Sequence, residues 1–281
     1  MPLVPASLDD DGLITPEVGG WAEDKYKLVA LYANLFATGM KAKWDERVYI
    51  DLYAGAGRAK IKGTGKLVLG SPLIALTVKV PFDHYIFCEF DPPKLDALTK
   101  RVQLAAPSAK VEYVADDCNQ AVDRILAKMP SFSKTHKVLS LCFVDPYDIG
   151  IKFATMKKLS SRAVDFLVLL AFHMDANRNY SHYLKPKSSK VDDFLGNTGW
   201  RVHWNDAQNT GMSFPQFLAR EYAKQMASLR YLENPMYRMK EVRSDERNLP
   251  LYHLALFSRH ETAYHFWDEV LKYSTDQEKL F

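Results

Sequence analysis

Four short stretches carry side chains whose types and spacing suit chemistry on a nucleotide-like ligand. The first, Asp51-Leu52-Tyr53-Ala54-Gly55-Ala56-Gly57, sets an acid ahead of two glycines. Glycine lets a backbone approach a ligand closely, and an acid near a strand terminus gives that ligand a partner. The second, Phe87-Cys88-Glu89-Phe90-Asp91, offers Glu89 to both hydroxyls of a ribose. The third ends in Asp116-Asp117, an acceptor for an adenine amino group. The fourth is Phe143-Val144-Asp145-Pro146-Tyr147-Asp148-Ile149-Gly150. An amine on a nucleobase ring is a poor nucleophile because its lone pair is delocalised. Asp145 and the Pro146 carbonyl would each accept one of its N–H groups, while Tyr147 would stack on the base. The competing reading is plain turn chemistry for each stretch. For Asp-Pro-Tyr-Asp alone that reading is favoured, and the three upstream acids tip the balance towards function.

These stretches must be positioned by strands, and the pattern around them supplies strands. Apolar residues from Trp21 to Met40 fall at helical spacing. Strand-like and helix-like segments then alternate from Arg47 to Phe172, and the strands are near-continuous apolar runs. That is an α/β pattern: a Rossmann-like, doubly wound, mostly parallel sheet. Two closing strands, within Met236–Arg243 and Leu251–His260, predict an antiparallel C-terminal edge. Residues 1–19 read as a flexible tail, and 20–281 as one domain with a helical insertion at about 173–235.

The glycines raise a further point. The helix expected after them starts only at Ser71, about 14 residues beyond Gly57, with Ser71 as N-cap and Pro72 at the first helical position. A pyrophosphate needs a helix N-terminus directly behind the glycines, whereas S-adenosylmethionine, which has no phosphate, does not. The spacing therefore favours a methyl donor over a nicotinamide dinucleotide.

At these residues the chain resembles the three-Cys-motif partner protein family, within the class I methyltransferase superfamily. The pieces carrying the resemblance are WAEDKYKLVALY, YIDLYAGAGR, GSPLIAL, YIFCEFDPPKLDAL, ADDCN, FVDPYDIG and YHLALFSRH, spread in order over most of Trp21–His260. The resemblance implies S-adenosylmethionine as cofactor, held by Gly55, Gly57, Glu89 and Asp117, with Asp145, Pro146 and Tyr147 as the catalytic corner. It also implies a three-Cys-motif protein as partner. A more distant similarity to ribosomal RNA adenine-N6 methyltransferases adds Lys25 on the N-terminal helix. Amino-methyltransferases usually carry Asp/Asn-Pro-Pro-Tyr/Phe, and this chain lacks the second proline.

Charge bears on the acceptor. A net charge of +3 over 281 residues leaves the question to distribution. Arg58, Lys60, Lys62 and Lys66 follow the glycines with no acid between them, and further lysines follow Asp145. A basic rim of this kind suits a nucleic-acid backbone, with Arg58 and Lys60 as substrate contacts. Tyr180, Tyr183, Trp200 and Trp204 would stack bases or simply pack the insertion. His173, just past the fifth strand, is a candidate for lining the substrate pocket, although a structural polar end is the more economical reading.

Other classes are disfavoured. Cys88, Cys118 and Cys142 lack metal-site spacing, the histidines lack mutual spacing, and no metal is expected. The longest apolar run, Val164–Phe172, is too short to span a bilayer, and the first residues lack signal-peptide character, so a cytoplasmic protein is expected. The sequence thus predicts a methyltransferase acting on a nucleobase amine in RNA or DNA. The alternative is an inactive adaptor of the same fold that binds a nucleotide-like ligand or nucleic acid.

Overall fold

Apolar runs such as Val138–Val144 and Val164–Leu170 are buried along their whole length, which requires a sheet covered on both faces. The computed structural model describes residues 8–176, 178–185, 187–244 and 248–278. Its main sheet contains β1 (Glu46–Asp51), β2 (His84–Glu89), β3 (Val111–Ala115), β4 (Val138–Val144), β5 (Val164–Leu170), β6 (Lys240–Arg243) and β7 (Pro250–Phe257). Their order is β3-β2-β1-β4-β5-β7-β6. The first five are parallel, β7 runs antiparallel to β5, and β6 runs antiparallel to β7. This is the doubly wound α/β fold with an antiparallel edge that the sequence predicts. Strand order reverses between β1 and β4, which opens a crevice at their carboxyl ends.

Side chains alternate across the strands and divide the core. On one face Tyr49, Leu141 and Leu167 pack with α1 (Ala22–Met40), α2 (Ser71–Leu76) and α3 (Pro92–Ala105). On the other, Ile50, Cys142 and Phe166 pack with α4 (Cys118–Lys128) and α5 (Phe153–Leu159). The insertion covers this second face through α6 (Tyr180–Tyr183), α7 (Lys190–Leu195), α8 (Trp200–Gln208) and α9 (Phe214–Ser228). A final helix, α10 (Glu261–Glu278), closes the first face, with Trp267 edge-on to Tyr32 of α1. Among the described residues, no helix is long and apolar enough to cross a membrane.

Two regions differ from the sequence reading. The stretch between Gly57 and Gly70 is a hairpin, Arg58–Ile61 against Leu67–Leu69, and Glu17–Val18 adds a parallel third strand to it. Residues 8–18, expected as part of a free tail, are docked as an arm by Arg101 of α3. This side chain is 2% exposed, and its guanidinium donates to Asp11, Thr15 Oγ1 and the Ile14 carbonyl. In the insertion, Trp200 and Trp204 are buried rather than presented for stacking. Their indole N–H groups donate to Asp192 and to the Tyr180 hydroxyl.

Candidate functional site

Asp51 ends β1 and is 0% exposed. Its Oδ1 accepts the Tyr53 amide at 3.2 Å, and Oδ2 has no hydrogen-bond partner. Burial pushes this carboxyl up to about 7; the Ser71 hydroxyl and the Tyr53 amide pull it down, and the charges of Asp145 and Glu89 push it up. The chain then turns through Gly55 (φ 62°) and Gly57 (φ 78°), both in the left-handed region that glycine tolerates. A Cβ on Gly57 would stand 2.8 Å from Leu98 Cδ1, whereas one on Gly55 would meet nothing within 4 Å. Gly57 fits against α3, and Gly55 faces open space.

The hairpin returns the chain to this turn. Gly70 N donates to the Gly57 carbonyl at 2.8 Å, so α2 begins against the glycines although it lies far along the sequence. The argument from spacing against a pyrophosphate therefore does not hold in space. A different feature replaces it. Ser71, whose side chain does not cap α2, lies beside the Asp51 carboxyl, so an acid occupies the place where a phosphate would be received. Like charges repel there, and a cationic group fits.

Glu89 ends β2, next to β1 in the sheet. Its Oε2 accepts the Gly55 amide at 2.7 Å and its Oε1 the Asp91 amide at 2.9 Å. An ionised carboxylate has about four lone-pair sites, so both oxygens keep acceptor capacity. Phe90 follows with its ring 72% exposed. At the end of β3 the two acids part company. Asp117 Oδ1 caps α4 by accepting the Asn119 amide at 2.8 Å, and Asp116 pairs with Arg124.

Beyond β4, Asp145 Oδ2 lies 2.5 Å from Lys25 Nζ of α1. Lys25 is 4% exposed, and its ammonium lies 4.6 Å from the Tyr26 ring centroid and 5.3 Å from that of Trp21. Burial is the strongest single influence and works to strip the proton, but the charge and hydrogen bond of Asp145, with Tyr26 and Tyr147, together outweigh it and the pKa is raised. Lys25, expected among the cofactor residues, thus sits on Asp145, which the sequence reading expects at the catalytic corner. Pro146 is buried, and Tyr147 is 78% exposed with Lys94 Nζ 6.0 Å from its ring centroid. The following loop is pinned from both sides. Asn119 accepts from Lys152 N and donates to the Gly150 carbonyl, and Asp175 Oδ2 accepts the Ile149 amide.

The remaining sequence candidates are placed elsewhere. Arg58 is engaged by the arm, donating to the Asp9 carbonyl at 2.9 Å and pairing with Asp11. Lys60 is exposed on the hairpin. His173 lies in a π-helical turn, Phe172–Ala176, with its ring 5.9 Å from that of His253. Burial lowers both imidazoles, His253 to about 4. Cys88, Cys118 and Cys142 are buried free thiols.

The residue-level reading missed Phe90, Ser71 and Arg101. An aromatic directly after a strand-terminal acid was a usable signal for Phe90. Arg101 had none, because one of its acceptors is the Ala56 carbonyl between the two glycines, 2.6 Å away.

No family model matches the chain. No curated protein matches it either. Among solved structures, a protein from Legionella pneumophila is similar at 14% identity, with 88% of this chain and 91% of that one covered and a TM-score of 0.47. An O-methyltransferase from Bacillus cereus in complex with S-adenosylhomocysteine is similar at 8% identity, with 90% and 84% covered and a TM-score of 0.46. The O-methyltransferase TomG from Streptomyces achromogenes, in complex with S-adenosylmethionine, is similar at 10% identity, with 84% and 80% covered and a TM-score of 0.45. At such identities the likeness is one of chain course, and the chemistry has to come from the residues.

Proposed function

We propose that this protein is an S-adenosylmethionine-dependent methyltransferase whose acceptor is an amino group on a nucleobase in RNA or DNA. The observation that carries this reading is the pairing of two acids at adjacent strand ends. Asp51 keeps a buried oxygen without a partner, and Glu89 is held at the glycine turn by the Gly55 and Asp91 amides.

The donor set fits the cofactor. The Asp51 carboxylate suits the ammonium of the methionine portion and disfavours a phosphate, Glu89 suits the ribose hydroxyls, and the exposed Phe90 ring suits the adenine face. The open space beside Gly55 leaves room for a ligand at the turn. When bound, the cofactor supplies an electrophilic methyl group on a sulfonium. On the acceptor side, Asp145 and the Pro146 carbonyl would receive the amine N–H groups, and Tyr147 would stack on the base. Lys25 already pairs with Asp145 and must share that carboxylate with the incoming amine.

Methyl transfer from isotopically labelled S-adenosylmethionine to RNA and to DNA tests the reading. Label in either nucleic acid, abolished by Asp145→Asn, supports it. Label in neither removes the nucleobase acceptor.

A second reading draws on the Lys25–Asp145 contact itself. A lysine seated on the acceptor's carboxylate suits an adaptor that kept the cofactor fold and serves a three-Cys-motif partner without turnover. It predicts cofactor affinity with no transfer even when such a partner is present.

A further inference from the structure

The sheet has a second concave feature at its opposite edge. Leu139 and Asp165 are the second residues of β4 and β5, at the amino ends of the parallel strands, away from the crevice holding Asp145. Together with Phe36 and Met40 of α1 and Ala263 and Phe266 of α10, they line a cavity of about 230 Å³. A cavity of about 150 Å³ with apolar walls already admits benzene. This one has the volume for an aromatic ring bearing a short chain.

The walls are mostly apolar, with Lys43, His260 and Thr262 also in the lining, and the buried acid among them is Asp165, which is 5% exposed. Its carboxylate lies beside the Ser258 hydroxyl, which can satisfy only one of about four lone-pair sites. Nearby Arg259 is committed elsewhere, donating to the carbonyls of Ser160, Arg162 and Leu229. A second polar group close by lacks a partner. The Tyr32 hydroxyl, within the electrostatic reach of Asp165, is buried with no hydrogen bond. Lys43 contributes to the lining from an exposed position, where solvent screens its charge. Buried acids without full hydrogen bonding are costly, and a ligand donor removes that cost.

We infer that this cavity is a second small-molecule site, distinct from the methyl-transfer crevice, which takes an apolar body carrying one amino group directed at Asp165. None of the residues assigned to the cofactor or acceptor lines it.

The probes are 2-phenylethylamine and its neutral analogue 2-phenylethanol. Each is titrated at pH 8 against protein with labelled methionine and alanine methyl groups, in the presence of excess S-adenosylhomocysteine. Saturable shifts of the Met40 and Ala263 methyls by the amine are expected whether or not S-adenosylhomocysteine binds. Asp165→Asn should weaken the amine by roughly tenfold while changing the alcohol by less than about threefold. Unsaturable shifts overturn the proposal, as does equal amine affinity in wild type and Asp165→Asn. If Asp165→Asn does not fold, Ala263→Leu, which fills the cavity, serves instead. Loss of amine binding in it supports the site, and unchanged binding overturns it.

Discussion

Lys25 Nζ and Asp145 Oδ2 lie 2.5 Å apart although 120 residues separate them in sequence. The contact ties α1 to the end of β4, the strand flanking the switch point of the sheet. With side-chain exposures of 5% and 14%, the pair is largely shielded from solvent. Removing one member leaves the other buried and unpaired. Lys25→Met is expected to destabilise the fold by about 3 kcal/mol. A double-mutant cycle with Asp145→Asn, followed by urea unfolding, should give a coupling above about 1 kcal/mol. Additive losses would mean that the two groups do not interact in solution.

The buried acids set a pH dependence. Asp51 and Asp165 are each pushed up to about 7, above the ordinary carboxyl value of 3.8. Between those values the unfolded chain has released a proton that the folded chain still holds. Their contribution therefore favours folding at low pH and is lost as pH rises from about 4 through about 7. Asp51→Asn should flatten that part of the stability–pH curve, and Asp165→Asn should do so independently. For ligand binding the sign is opposite. An ammonium prefers ionised Asp51, so affinity for S-adenosylhomocysteine should rise as pH passes through about 7 in wild type and not in Asp51→Asn.

The two glycines are expected to fail differently. Gly57→Ala puts a Cβ 2.8 Å from Leu98 Cδ1 at φ 78°, and should cost about 1–3 kcal/mol in stability. Gly55→Ala meets no atom within 4 Å, so it carries only the strain of φ 62°, about 1 kcal/mol. Its Cβ instead takes up ligand space. Thermal unfolding should rank Gly57→Ala below Gly55→Ala, while calorimetry should find cofactor affinity lost in Gly55→Ala despite its retained fold.

The arm gives an acid-sensitive contact. The Arg101 and Arg58 guanidiniums hold the Asp11 carboxyl at about 2, below its ordinary 3.8, with the Arg101 hydrogen bond the largest cause. Stability from this group is present above the ordinary value and lost as pH falls from about 4 through about 2. At neutral pH, Asp11→Asn should release residues 8–18 and speed proteolytic cleavage there several-fold. Cleavage at the wild-type rate would show that the arm is held without this charge.

The strands were legible because burial on both faces leaves an apolar run that no loop imitates, as in Val164–Leu170. Glu89 and Asp145 were legible as acids ending such runs. The hairpin after Gly57 was not, because its strands have only 4 and 3 residues and its lysines read as a solvated loop. Spacing along the chain also misled the reading of α2, since Gly70 returns to Gly57 through a backbone hydrogen bond. Trp200 and Trp204 offered stacking surfaces in sequence, but Phe214 and Phe217 of α9 cover them. The partners of Lys25 and Arg101 lie too far along the chain for any local pattern to carry them.

The most direct test of the methyl-donor account is calorimetric titration with S-adenosylhomocysteine and, separately, with NADH. The account predicts saturable binding of S-adenosylhomocysteine, weakened roughly tenfold or more by Glu89→Gln, and no binding of NADH. Binding of NADH alone, or S-adenosylhomocysteine affinity indifferent to Glu89→Gln, would contradict it.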